Sequence, residues 1–148
     1  MFEPLIGEWH ADGEIPIEPP LRVSEEARIE RLGEFVVFTT VAEQAEMPNS
    51  ISIIGGAPDG EPQPMHYFDE RGVERRYLVT LEGSTLKIWR APGEDWNGPD
   101  GPGFNQRFIG EISADRNRIK GRWERGVGKA GDKWELDFPI DYERKTRS

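Results

Sequence analysis

The stretch WELDFPIDYER, residues 134–144, alternates between large apolar side chains and side chains that are mostly acidic. Successive side chains of a β-strand point to opposite faces of a sheet, so a period of two indicates a strand with one buried and one solvated face. This alternation decides the fold class of the chain. It places on one face Trp134, Leu136, Phe138, Ile140 and Tyr142.

Similar runs recur along the chain, separated by short segments rich in Gly, Asp, Asn, Ser and Pro, which are typical of turns. A helix start at Ser24 is the one rival signal, and the alternation through residues 21–29 favours a strand there. A single helical turn is expected at residues 2–7. The runs predict about ten strands, near residues 9–15, 21–32, 34–44, 50–56, 65–70, 73–81, 85–90, 104–113, 118–125 and 132–144.

About ten short antiparallel strands without covering helices must bury their apolar faces against one another. A flat sheet would expose two edges that invite aggregation, and closure removes them. We therefore predict an all-β fold, a single antiparallel up-and-down β-barrel of about ten strands that occupies residues 1–148 as one domain. A two-sheet sandwich with Greek-key links is the alternative.

The composition restricts the partners. The formal net charge of -9 repels nucleic acids and anionic membranes, so we expect neither as a partner. The chain has no cysteine, which excludes disulfides and thiolate chemistry. Because we find neither a secretory signal nor an apolar run near the roughly 20 residues of a membrane span, we expect a cytoplasmic protein. The sequence leaves open whether the protein forms a homodimer.

Gly7-Glu8-Trp9 resembles the G-x-W that opens lipocalins and related calycin barrels. In that family the Trp plugs the closed end of the barrel and an Arg near the last strand packs over it, which implies these roles for Trp9 and Arg144. The chain also resembles nitrobindin-type barrels, which begin G-x-W-x-G-x-G, with Ala11 in place of one glycine. The segments HYFDERGVERRYLV, IWRAPG and FNQRFIGEISADRNRIKGRWE look like those of small uncharacterised bacterial barrels of this kind.

Haem-binding relatives of the nitrobindin type use a histidine near the C-terminus as the axial ligand. Here Leu136 stands in the equivalent-looking region and no histidine follows His66, so the resemblance carries no haem ligand and we expect no cofactor. His10 is out of phase with Trp9 and is expected to face solvent. His66 is expected to be a hydrogen-bonded core or rim residue.

Several polar residues share the inward phase of the predicted strands. Thr39 belongs to them if Phe35, Val37 and Val41 point inward, and Glu25 follows Leu21, Val23 and Ala27. A buried arginine needs an anionic partner. Arg75 therefore pairs with Glu25, or it anchors the polar head of a ligand. The second interpretation gives the predicted ligand-binding residues Arg75, Tyr77, Arg90, Phe104, Gln106, Phe108, Phe138 and Tyr142.

The sequence thus predicts a barrel that holds a small apolar or amphipathic ligand, because barrels of this size can enclose one. An enzyme or haem protein using the same cavity, and an interaction protein with a filled barrel, are the alternatives. Asp95, Asn97 and Asp100 resemble part of a calcium loop, but no Glu completes it, so no metal is expected. Residues 93–103 are interpreted either as an ordinary long hairpin loop or as a lid at the barrel mouth. No catalytic triad or phosphate loop is recognisable, so catalysis stays open.

Overall fold

The computed structural model describes residues 1–90, 105–127 and 133–145. A 3-10 helix, Glu3–Leu5, precedes ten antiparallel strands, and no helix in these ranges is long and apolar enough to cross a membrane. The strands are β1 Gly7–Ile15, β2 Leu21–Leu32, β3 Phe35–Ala42, β4 Ser50–Ile54, β5 Gln63–Asp69, β6 Glu74–Glu82, β7 Thr85–Arg90, β8 Gln106–Ile112, β9 Arg118–Val127 and β10 Lys133–Arg144.

Each strand pairs with its neighbours in the chain, and β1 pairs with β10, which closes the barrel. The predicted all-β up-and-down barrel and its single N-terminal helical turn are confirmed. Residues 21–32 form a strand, as the alternation indicated, and not a helix. Closure leaves no free sheet edge, which is the physical reason for predicting it.

Trp9 plugs one end of the barrel, which we call the closed end. Its side chain is 0% exposed, and its indole N–H donates a hydrogen bond to the carbonyl oxygen of Leu5 at 2.9 Å. The guanidinium carbon of Arg144 lies 4.2 Å from the centroid of the Trp9 ring. The predicted packing of this arginine over this tryptophan is therefore confirmed.

The Arg144 guanidinium also fixes the N-terminal segment. It donates hydrogen bonds to the carbonyl oxygens of Pro4 at 2.7 Å, Ile6 at 2.6 Å and Arg116 at 3.0 Å. Gly7 must be a glycine for two reasons. Its φ is +137°, and a Cβ there would collide with the Arg144 guanidinium. The G-x-W sequence is thus explained by the contacts of one arginine.

The predicted face of β10 is wrong in its first half. Leu136 pairs with Glu124 and Phe138 pairs with Trp123, so Asp137 is an extra residue, a β-bulge. The bulge reverses the alternation. Leu136 is 52% exposed, and Trp134 lies on the outer surface with the Arg107 guanidinium carbon 4.0 Å from its ring centroid. Phe138, Ile140 and Tyr142 face the interior, as predicted.

The alternation of strand β3 that would place the Thr39 side chain inside the barrel is also wrong. Phe35 is 43% exposed and Val41 is 57% exposed, whereas Val36 and Thr40 are buried. Strand β3 is apolar on both faces, so alternation alone could not choose between them. Pairing with β2 decides the phase: Thr40 lies beside the inward Ala27, which puts Thr39 on the outer surface.

We predict that Arg144→Met destabilises the fold by about 2–4 kcal/mol, because carbonyls at the closed end lose charged donors and Trp9 loses its cation partner. Urea unfolding measures the effect. The control is Arg118→Met, which removes an arginine that is 74% exposed and pairs with Glu143 at 2.9 Å. Exposed pairs contribute about 0–1 kcal/mol, so equal losses in the two variants would contradict the structural role of Arg144.

Candidate functional site

Two adjacent cavities lie in the barrel interior formed by the described residues. A deep cavity of about 60 Å³ lies beside the closed end, and an outer cavity of about 160 Å³ lies toward the opposite end, which we call the mouth. The deep cavity is bounded almost entirely by apolar atoms, whereas the wall of the outer cavity includes charged and hydroxyl-bearing residues. Four residues line both cavities: Phe38, Ile88, Trp123 and Tyr142.

Small polar side chains on β3 and β4 leave room for the outer cavity. Thr40, Ser50 and Ser52 line it, and the hydroxyl oxygens of Thr40 and Ser50 are 2.6 Å apart. The intervening Ile51 and Ile53 lie in the opposite phase, with Ile51 exposed on the outer surface. Strand β4 therefore directs its smaller, polar residues inward, which is the reverse of the usual pattern for a barrel with a packed interior.

A row of aromatic rings forms one wall of the interior. Tyr67, Tyr77 and Trp123 follow one another at centroid distances of 6.3 Å and 6.3 Å. Phe108 lies 5.4 Å from Trp123 and 6.4 Å from Tyr142. These distances and the tilted or edge-to-face angles are those at which aromatic rings attract one another. The wall thus offers an apolar ring several surfaces for packing.

Two glycines let the Phe108 ring lie flat against the barrel wall. Gly110 and Gly121 are cross-strand partners on β8 and β9. A Cβ at either position would collide with the Phe108 ring. The ring therefore occupies space beside the backbone, so less of it projects into the deep cavity.

Glu25 and Tyr142 face the outer cavity side by side. Ala11 pairs with Glu25 on β2 and with Tyr142 on β10, so one small residue separates them. Within the described ranges, no hydrogen bond or ion pair reaches the carboxylate or the phenol. Burial raises the pKa of Glu25, and burial together with the charge of Glu25 raises the pKa of Tyr142 well above its ordinary value.

Arg75 lines the outer cavity near the mouth and is half-buried, while Arg76 is exposed. The predicted phase of this strand is therefore correct. The predicted ion pair between Arg75 and Glu25 is not formed, although both residues line the same cavity. The separation has a geometric reason, because three strands stand between β2 and β6 around the barrel.

The other predicted ligand-binding residues occupy the interior at different depths. The Tyr77 hydroxyl donates to Gln106 at 3.1 Å, and both line the outer cavity with Phe138. Arg90 is buried with its guanidinium carbon 5.8 Å from the Tyr77 ring centroid, and it is not part of either cavity wall. Phe108 lines the deep cavity. Phe104 and the predicted lid at residues 93–103 lie outside the described residues.

Sequence reasoning left several wall residues out of the predicted site. Glu25 was assigned the correct phase but was treated only as a partner for Arg75. Trp123 carried a usable signal, since it follows Ile119 and Gly121 at every second position. Ser50 and Ser52 carried none, because the alternation of SISI, residues 50–53, favours Ile51 and Ile53 over the serines as inward residues.

At the mouth, the hydroxyl of Tyr67 already has a hydrogen-bond partner within the protein. Its hydroxyl donates a hydrogen bond to Asp69 at 2.7 Å, and Arg71 pairs with the same carboxylate at 2.7 Å. Burial and the hydrogen bond with Asp69 raise the pKa of Tyr67. Burial alone would raise the pKa of Asp69, but hydrogen bonds from Arg71 and Tyr67 lower it. These three groups satisfy one another, so Tyr67 contributes its ring to the cavity wall.

Both histidines lie on the outer surface of the barrel. His10 contacts Glu26 at 2.8 Å and Asp12 at 2.9 Å through its two ring nitrogens, and Lys145 also pairs with Glu26. The hydrogen bond with Glu26 raises the pKa of His10 against the effect of burial. Ligand atoms of His10, Glu26 and Glu43 lie within 4.8 Å of one another, yet the contacts already present are those of an ion-pair network.

His66 alternates with Met65 and Tyr67, which line the outer cavity, so its side chain points away from the interior. The expectation that His10 faces outward is confirmed. Because the chain contains no third histidine, the interior does not fit a histidine-ligated haem.

Comparison with solved structures finds the same architecture in Rv2717c from M. tuberculosis. The TM-score is 0.70 at 14% sequence identity, and the alignment covers 98% of this chain and 95% of that chain. No protein-family model and no curated protein matches the chain. At this identity the likeness to Rv2717c shows the fold alone.

We predict that Glu25→Gln stabilises the protein at pH 8 by about 1 kcal/mol, because burying a charge without a partner is unfavourable. The folded pKa of Glu25 is raised above its ordinary 4.5, so its stability contribution is complete below that value and is lost as pH rises through the folded pKa. The gain of the variant should therefore disappear toward pH 4.

Thermal unfolding between pH 4 and pH 8 measures this difference, and Glu30→Gln is the control on the same strand. Glu30 is exposed on the outer face, with its carboxylate 3.5 Å from Arg28. A pH-independent difference between Glu25→Gln and the parent protein would contradict the assignment.

Proposed function

We propose that this barrel, calycin-like in architecture, binds one small molecule that has an apolar body and a polar group. The observation that carries the proposal is the change of polarity along the interior. The deep cavity is apolar, and the adjoining outer cavity is bordered by Glu25, Arg75 and Gln106. A ligand with one apolar end and one polar end matches this gradient.

The cavity volumes limit the size of the ligand. An apolar cavity of about 150 Å³ holds one benzene molecule, whereas drug-sized ligands occupy roughly 300–1,000 Å³. The outer cavity of about 160 Å³ therefore suits a single ring or a short chain. The aromatic wall favours a ring, since stacked or edge-on contacts add to the apolar burial.

The same observations rank the alternatives. A filled barrel that acts only through its surface has no need for inward Thr40, Ser50 and Ser52, which leave space unfilled. On the described residues, no observation favours catalysis over binding. We therefore propose a binding protein, with residues Arg75, Tyr77, Gln106, Phe108, Phe138 and Tyr142 of the predicted set on the wall around the ligand.

We predict that benzyl alcohol binds with a Kd on the order of 1 mM, a reasonable affinity for so few atoms. Thr40→Leu should weaken binding at least about tenfold, because the larger side chain enters the outer cavity. Thr39→Leu is the matched control, since the neighbouring side chain lies on the outer surface. Titration followed by NMR measures both. Equal affinities in all three proteins would contradict binding inside the barrel.

We also predict that native mass spectrometry of the protein purified from its own host detects a small bound mass. The mass should be absent from the Thr40→Leu protein and present in the Thr39→Leu protein. A bound mass retained by both variants would place the ligand elsewhere on the molecule.

A further inference from the structure

We propose that Glu25, with Tyr142 beside it, makes the cavity selective for a ligand that carries a cationic amine. This inference rests on the proposed function and names the chemical class of the ligand. The juxtaposition that supports it is a carboxylate and a phenol that face one cavity across Ala11.

Glu25 differs from the other acidic residues of its strand. Glu26 contacts His10 at 2.8 Å and pairs with Lys145, and Glu30 lies 3.5 Å from Arg28. These two carboxylates face outward, where water would solvate them even without a basic partner. Glu25 is the inward one, and among the described residues no basic side chain pairs with it. Basic partners are therefore found for the solvent-facing carboxylates of this strand, and none among the described residues is found for the inward one.

A carboxylate withdrawn from water must find a proton, a cation or several hydrogen-bond donors. Burial raises the pKa of Glu25, in keeping with a group that lacks such a partner. An ammonium group would supply a charge-assisted hydrogen bond to Glu25. The Tyr142 hydroxyl could accept a second hydrogen bond, and its ring with that of Trp123 offers faces that attract cations.

Arg75 carries the opposite charge in the same cavity, so its influence must be weighed against that of Glu25. Arg75 lies where β6 begins at the mouth, whereas Glu25 lies four residues inside β2. Charges near solvent are screened more strongly than desolvated ones. The deeper carboxylate therefore dominates the selection, and the net charge of -9 favours the approach of a cation.

Three probes of matched size test the proposal: benzylamine, benzyl alcohol and benzoate. Their dissociation constants at pH 7 are measured by titration for the parent protein, Glu25→Gln and Glu30→Gln. We expect the parent to bind benzylamine about tenfold more tightly than benzyl alcohol and benzoate most weakly. Glu25→Gln should bring benzylamine to within about twofold of the alcohol, and Glu30→Gln should preserve the order of the parent. Tyr142→Phe should weaken benzylamine a few-fold.

The other possible outcomes separate the role of Glu25 from the proposed binding function. If the alcohol binds and benzylamine binds no better, or if Glu25→Gln leaves the preference unchanged, the role of Glu25 is overturned and the binding function stands. If benzoate binds most tightly, Arg75 sets the charge preference and the proposal is likewise overturned. If none of the probes binds the parent, the proposed function and this inference both fail. Far-UV circular dichroism confirms that each variant is folded.

Discussion

The contact between Arg144 and Trp9 joins the last strand of the chain to the first. In an up-and-down barrel these two strands are the ones that no turn connects, so their pairing must be stabilised by long-range contacts. The guanidinium contacts the indole ring and donates to carbonyls on both sides of the seam. These hydrogen bonds satisfy groups that no strand partner reaches, so the closed end is sealed without further secondary structure.

Sealing one end makes the interior asymmetric. The side chains around Trp9 are apolar and leave only the small deep cavity, while toward the mouth the wall contains small hydroxyl residues that leave a larger space unfilled. Strand β4 shows this most directly, because Ser50 and Ser52 line the outer cavity while Ile51 and Ile53 take the opposite phase, and Ile54 of the same strand lines the deep cavity instead. Such an arrangement gives up apolar burial of a core strand, so the cavity is a specified feature of the fold.

The charged side chains also differ between the outer surface and the interior of the barrel. On the outer surface, acidic residues of neighbouring strands meet arginine, lysine or histidine, and these pairs are solvated and weak. At the mouth, Tyr67 and Asp69 satisfy each other. Glu25 stands apart because it is inward and, in the part of the chain that the structure describes, has no basic partner. A bound ligand would change the protonation and solvation of the Glu25 carboxylate more than those of any group that already has a partner.

The sequence by itself determined the all-β class, the number of strands, their approximate bounds and the closure of the barrel, because period-two alternation and turn residues are local signals. It also indicated the roles of Trp9 and Arg144 and the inward phase of Arg75. Only the tertiary structure decided which face of β3 is buried, since that strand is apolar on both sides. It alone revealed the bulge at Asp137, because one extra residue leaves the alternation of letters intact while it reverses the side chains. The relation of Glu25 to Tyr142 depends on the register of β1 with β2 and with β10, which lies at the other end of the chain, and register is fixed by packing.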